Sequence, residues 1–358
     1  MAKRVNRGLP FKDWPPEDQS LWGNAFGGDD VFHKRQGARL SKTSIYGRKA
    51  SYGKYLGFIK KAQPELLRLS SAARIKPDVL KAYVDCLRQN CRETTIAIDL
   101  ERLFFALRAM FPTTDWSWLY SIARRIAAGA RPIRHPQILS PDVYRLAIDL
   151  MERASFEGER IGKVTFKCAV DFRDGLQIAT LTEAPMRRGA FSRLQIGAHA
   201  VRIGDRWWLF VPGDLTKTDT PQDYELSERL SRYIDIYLER FRIVFPRADS
   251  HDGLWPYIGR PMTDKMIWRH FKKRTLVGLG VAIGPHRLRS ADATFLSIAD
   301  PENIRAARDL LGHKSFSMTE KHYIHGAQSR LAGRELARLL AAHGRCASPC
   351  PVPTGPPD

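Results

Sequence analysis

The chain has 358 residues and a mass of 40.7 kDa, is 43% hydrophobic, and carries 58 Lys and Arg against 38 Asp and Glu, a formal charge of +20 with a pI near 10.0. That apolar content suffices to bury cores in two domains and excludes a disordered polyelectrolyte, while the basic excess, spread along the chain, points to a polyanionic partner. No run of about 18 apolar residues and no signal-peptide hydrophobic stretch occurs, so a cytoplasmic protein without a membrane span is expected. The five cysteines, Cys86, Cys91, Cys168, Cys346 and Cys350, lack zinc-knuckle or secreted-scaffold spacing and are expected as reduced thiols.

Residues 1–35 are rich in Gly, Pro, Asp and Trp and read as a loosely structured lead-in. From Ser41, the residues Ile45, Tyr52, Tyr55, Leu56 and Ile59 recur at helical spacing, with Arg48, Lys49, Lys54, Lys60 and Lys61 on the remaining surface, which predicts an amphipathic helix with a basic face. Three further helices are predicted: one after Pro77 with Val79, Tyr83 and Leu87; one after Thr94 and Thr95 with Ile96, Leu100, Leu103, Phe104 and Leu107; and one from Asp115 to Gly129 with Trp116, Leu119, Ile122 and Ile126. Residues 36–130 are therefore expected to form an all-α bundle with a basic surface. The stretch GARPIRHPQILS, with its run of turn formers, reads as a linker.

Residues 138–345 are expected to form a second domain, mostly α with one small antiparallel sheet, of the α+β type. Helical patterns occupy about 141–155 and 183–195; HAVRIGDRWWLFVP alternates across Gly204-Asp205 as a hairpin, and DYEL supplies a third strand. Helices resume near 226. In GPHRLRSADATFL, Pro285 opens a helix whose buried stripe is Leu288, Ala291 and Phe295, so that His286 and Arg289, three apart, project together. Asp300-Pro301 starts another, with Ile304, Ala307 and Leu311 as its apolar stripe and Gly312 as its stop; Ser317 and Glu320 form a capping box for a helix from Met318 that carries Tyr323. The tail 346–358 is too proline-rich to pack and is expected to be disordered.

Two clusters carry chemistry. LLGHKSFSMTEKHYIHG concentrates His313, Lys314, Lys321, His322, Tyr323 and His325 around one turn, which on its own fits either a solvated helix-turn-helix or a reaction site. In APMRRGAFSRL, Arg187 falls on the helical face of Phe191 and Leu194, where a guanidinium is costly unless an anion or carboxylate meets it, whereas Arg188 points elsewhere. Lys217, in LTKTDTP, lies in a polar turn just beyond the hairpin.

Taken in order, an arginine on a helix, a lysine in a β-turn, His-x-x-Arg, Leu-Gly-His and a tyrosine resemble the tyrosine recombinase (phage integrase) family over about 138–340, and the helices ahead of them resemble that family's core-binding domain. The resemblance implies a site-specific DNA recombinase or integrase, a DNA strand transferase working through a 3′-phosphotyrosine intermediate for a mobile element. Its partner would be double-stranded DNA, it would act as a homo-tetramer on two duplexes without metal or nucleotide cofactor, and it would sit in the bacterial cytoplasm with the nucleoid. By the same resemblance Arg187 and Arg289 clamp the scissile phosphate, Tyr323 is the nucleophile, His286 handles its proton, His313 donates to a phosphate oxygen, and Lys217 protonates the leaving oxygen. Arg48, Lys49 and Lys54 would lie on DNA phosphates.

The chain departs from the family pattern in three places. Ala190 stands where glutamate commonly follows the first arginine, Ser290 follows Arg289 where histidine is frequent, and Tyr323 is ten residues beyond His313 where nine is usual, His322 taking the ninth. Arg188 is the fallback for Arg187, and Tyr257 the rival for Tyr323. Two alternatives stay open: an enzyme that only relaxes DNA or resolves hairpin ends, like a type IB topoisomerase, and a non-catalytic DNA-binding regulator on a recombinase scaffold.

Overall fold

A computed structural model describes residues 8–27, 40–131, 138–216 and 219–299. Lys217, His313, Tyr323, the helices expected at 301–311 and from Met318, and the proline-rich tail lie outside the described residues. The chain divides into two compact units, 1–134 and 135–358, and no described helix is long and apolar enough to cross a membrane.

The first unit is all helical: α1 (Pro16–Phe26), α2 (Lys42–Ala62), α3 (Pro77–Arg88), α4 (Glu93–Met110) and α5 (Ser117–Gly129). Ser41 caps α2, its side chain accepting from the Ser44 amide, and Pro77 occupies the first turn of α3, where its missing N–H costs nothing. Tyr52, Tyr55, Ile59, Leu80, Tyr83, Leu100, Leu103 and Leu107 are all within 1% of full burial. Inside this apolar core Asp99 accepts from Ser51 Oγ (2.9 Å), Tyr83 OH (2.7 Å) and Lys54 Nζ (2.7 Å). The segment expected to be loosely structured contains α1: Trp14 and Trp22 are buried, and Trp14 meets Trp22 and Tyr52 edge-on. Pro16 is the first residue of this helix, a position where its missing N–H costs nothing.

In the second unit α6 (Ser140–Ile161) and α7 (Phe166–Glu183) lie against each other. They approach closely because Gly175 has no side chain: a Cβ there would sit 2.7 Å from the Ala147 carbonyl oxygen. The short α8 (Arg188–Phe191) follows, then β1 (Ala200–Ile203), β2 (Arg206–Val211) and β3 (Gln222–Glu225), an antiparallel sheet in the order β1-β2-β3. Gly204, at φ 62°, turns the hairpin, and the register sets Val201 opposite Trp208 and Leu209 opposite Tyr224. The inward face, Ala200, Trp207, Leu209, Val211 and Tyr224, joins the core. The remaining helices are α9 (Glu228–Ile236), α10 (Asp264–Leu279) and α11 (Pro285–Ala299). The mostly helical fold with one small antiparallel sheet agrees with the expectation.

The helix expected over 183–195 is not formed as such: the chain is helical to Glu183, leaves the helix before Pro185, and re-enters for only four residues. Pro185 disfavours helical φ/ψ for Ala184 and would leave a carbonyl one turn back without its donor, so the break falls there.

Candidate active site

The end of α7 and the start of α11 converge. Ala184, Pro185 and Met186 are buried, and Arg187 follows in extended backbone (φ −70°, ψ 138°) as the residue that caps α8. The α8 turn is anchored by Phe191, whose ring packs 4.9 Å from that of Trp255 and whose carbonyl accepts from Trp255 Nε1 at 3.0 Å. Arg187 therefore projects from an anchored strand-like residue and not from a helical face as expected. Its Nη1 is buried without a hydrogen-bond partner among the described residues, an arrangement that buried guanidinium groups rarely tolerate unless an anion completes them.

Pro285 opens α11 as predicted, and Leu288 is fully buried. The remainder of the expected stripe differs. Phe295 is exposed, and the helix instead buries Arg289, Asp292 and Ala293 against α6 and α7. Asp292 accepts from Ser140 Oγ at 2.6 Å, which ties α11 to the first residue of α6.

Arg187, His286 and Arg289 line one cleft of about 540 Å³, together with Arg188, Arg287, Lys272 and Trp268. None of its described lining residues is acidic. Such a concentration of positive charge favours a multiply charged anion. It also perturbs its neighbours: burial, then the charges of Arg289 and Arg187, push the His286 imidazole below its ordinary pKa, so the ring is neutral and able to accept a proton near neutrality. Tyr224, on β3, lies in the field of the same two arginines, which partly offset the rise that burial imposes on its phenol. Burial pushes the Asp292 carboxyl well above the usual range, against the Ser140 hydrogen bond and the charge of Arg289.

Arg188, the fallback, is bound to Asp264, its Nη2 lying 2.8 Å from Oδ2. Ala190 is buried where a carboxylate was the family norm. Tyr257 packs against the core of this unit. The three basic residues expected on DNA are each engaged within the first unit: Lys54 forms an ion pair with Asp99, Arg48 stands 5.0 Å from the centroid of the Phe105 ring with its pKa lowered by burial, and Lys49 lies 3.6 Å over Phe11. Trp268, Lys272, Tyr224, Ser140 and Asp292 were not among the expected site residues; of these only Tyr224 carried a sequence signal, the inward register of the third strand.

Residues 157–330 match the family described as the phage integrase family. Among solved structures, the chain is similar to the XerH site-specific recombinase bound to a palindromic difH substrate in a post-cleavage complex, with a TM-score of 0.56 and 16% identity over 92% of this chain and 99% of that one. It is also similar to XerH in its pre-cleavage complex with difH (0.54, 14%, 90% and 99%) and to a lambda integrase fragment, residues 75 to 356 of that protein, bound as a dimer to a COC′ core site (0.52, 14%, 80% and 90%). At these identities the likeness is one of fold. Among curated proteins none matches the sequence.

Proposed function

We propose, from the premise that the chain belongs through residues 157–330 to the phage integrase family, that it is a site-specific tyrosine recombinase that cuts and rejoins double-stranded DNA. The observation that carries this reading is the meeting of Arg187 with His286 and Arg289, about a hundred residues further along the sequence, in one cation-lined cleft where the buried Nη1 of Arg187 has no hydrogen-bond partner among the described residues.

In this reading Arg187 and Arg289 hold the non-bridging oxygens of one phosphodiester and offset the charge of the pentavalent transition state. Tyr323 attacks phosphorus; the P–O5′ bond breaks as the P–O(Tyr) bond forms, so the energy of the diester is conserved in a 3′-phosphotyrosine that a 5′-hydroxyl of another strand later displaces. A free phenol ionises near pH 10, and neutral His286 is suited to take its proton. His313 donates to a non-bridging oxygen and Lys217 protonates the leaving 5′-oxygen. Four protomers on two duplexes, the service of a mobile element, and action in the cytoplasm at the nucleoid complete the proposal.

Buried Ala190, in place of a carboxylate, favours a second reading, a DNA-binding regulator without cleavage. A nicked suicide duplex bearing the cognate site separates the two. The wild type should trap a covalent adduct and Tyr323→Phe none. An adduct in the variant refutes the nucleophile, and no adduct with wild type turns the assignment to the regulator.

A further inference from the structure

Among the described cations of the cleft that the roles above leave unused, Lys272 is set apart by its seat. Lys272 lies on α10, four residues after Trp268, and its Nζ sits 4.7 Å from the centroid of that indole. Both line the same cleft as Arg187 and Arg289. Among the described residues no carboxylate pairs with Lys272, whereas neighbouring Arg188 is bound to Asp264. Trp268 remains 40% exposed, an unusual state for an indole within a folded unit. Its ring edge is set by Gly284 at the entrance to α11: a Cβ there would fall 2.9 Å from Nε1 and 3.0 Å from Cδ1.

The helix that carries the pair is fixed on its other sides. His270 Nδ1 and Arg274 Nε meet Asp174 of α7 at 3.0 and 2.8 Å, and Thr275 Oγ1 accepts from the Ile283 amide at 3.1 Å, which joins the end of α10 to the turn before α11. An ammonium that faces a cationic cleft from a fixed helix, steered by an aromatic ring, is repelled by its neighbours unless an anion sits between them. One phosphodiester occupies two arginines. A DNA strand offers its next charge one nucleotide on, about 3.4 Å further along the helix axis.

We propose that Lys272, seated on Trp268, forms a second phosphate subsite that takes the phosphodiester adjacent to the one held by Arg187 and Arg289. The ligand class is a nucleic-acid backbone, read by charge and not by base. The inference deepens the recombinase reading and rests on its placement of a phosphodiester in the cleft.

The test is the salt dependence of binding to a fluorescein-labelled duplex, measured by anisotropy with the full chain. Each phosphate contact contributes about −0.9 to the slope of log K against log salt. Lys272→Gln should make the slope shallower by about 0.9 and weaken binding several-fold near physiological salt. Lys272→Arg should keep the wild-type slope, and Lys163→Gln, which removes a charge that does not line the cleft, should leave it unchanged. An unaltered slope in Lys272→Gln overturns the subsite, as does an equal loss in Lys272→Arg, which would indicate shape and not charge. A shift of the same size in Lys163→Gln also overturns it, since the charge would then act only through the overall field. Covalent trapping run in parallel keeps the two ideas apart. Wild type that traps no adduct, while Lys272→Gln loses its slope increment, sinks the recombinase reading and retains the subsite; trapping with an unaltered slope does the reverse.

Discussion

Replacing Asp174 by Asn should test what holds α10 in place. Asp174 is 2% exposed and accepts from Arg173 Nη2 at 2.8 Å, Arg173 Nε at 3.2 Å and Arg274 Nε at 2.8 Å, with His270 Nδ1 at 3.0 Å. Arg173 is fully buried and would lose its carboxylate, keeping the Pro256 carbonyl at 2.9 Å, the edge of His270, the Phe245 ring and a neutral amide oxygen, while Arg274 retains Asp171. Removing one partner of such a pair leaves a desolvated charge, at a cost of about 3–5 kcal/mol. For a unit of 150–250 residues this lowers the melting temperature by roughly 6–20 °C, at about 2–4 °C per kcal/mol. Burial alone would raise this carboxyl, but the hydrogen bond with His270 and the charges of Arg173 and Arg274 outweigh it and hold the group well below the usual range. Its contribution is thus present above the unfolded carboxylate value of about 3.9 and lost as pH falls through the folded value. Urea unfolding at pH 7 and at progressively lower pH should show a difference between wild type and variant that shrinks in acid. A difference below about 1 kcal/mol at pH 7, or one that does not shrink, refutes the network as the support of α10.

The remaining predictions concern the cleft. Adduct formation should have an acid limb below the ordinary imidazole value of about 6.5, because burial and the charges of Arg289 and Arg187 depress His286; in Arg187→Gln the His286 ring, followed by NMR without DNA, should titrate at higher pH than in wild type, and an unmoved titration would contradict the electrostatic argument. Asp292→Asn tests the opposite sign. The folded carboxyl is raised, so its contribution to stability is present below about 3.9 and is lost as pH rises through the folded value, whereas the amide does not titrate. The stability of the variant relative to wild type should therefore grow with pH, and a gap independent of pH in chemical denaturation would contradict the burial argument.

Local signals located much of the fold. Ser41, Pro77 and Pro285 mark helix starts because capping and a fixed φ are properties of a few adjacent residues. Gly204-Asp205 marks the hairpin for the same reason. What escaped was determined at long range. Helix α7 buries Arg173, Asp174, Gln177 and Thr180 along with its apolar residues, so it has no polar face for periodicity to reveal. Helix α1 owes its order to Trp22 packing on Trp14, which in turn meets Tyr52, a partner nearly forty residues further along the chain. At the site, Arg187 was legible as a misplaced guanidinium, although its backbone is extended and not helical. Trp268 and Lys272 were not, since an exposed indole and a lysine at helical spacing look like any helix surface until the cleft between α8 and the start of α11 closes around them. Lys54 looked like a free basic side chain because its partner, Asp99, lies on another helix.

The most direct measurement is the identity of the residue bonded to DNA. After trapping on a suicide duplex, nuclease and trypsin digestion and mass spectrometry should find the 3′-phosphoryl nucleotide on HYIHGAQSR, residues 322–330, with fragmentation placing it on Tyr323. A nucleotide on Tyr257, Tyr224 or any serine, or trapped wild-type protein with an unmodified 322–330 peptide, would contradict the account.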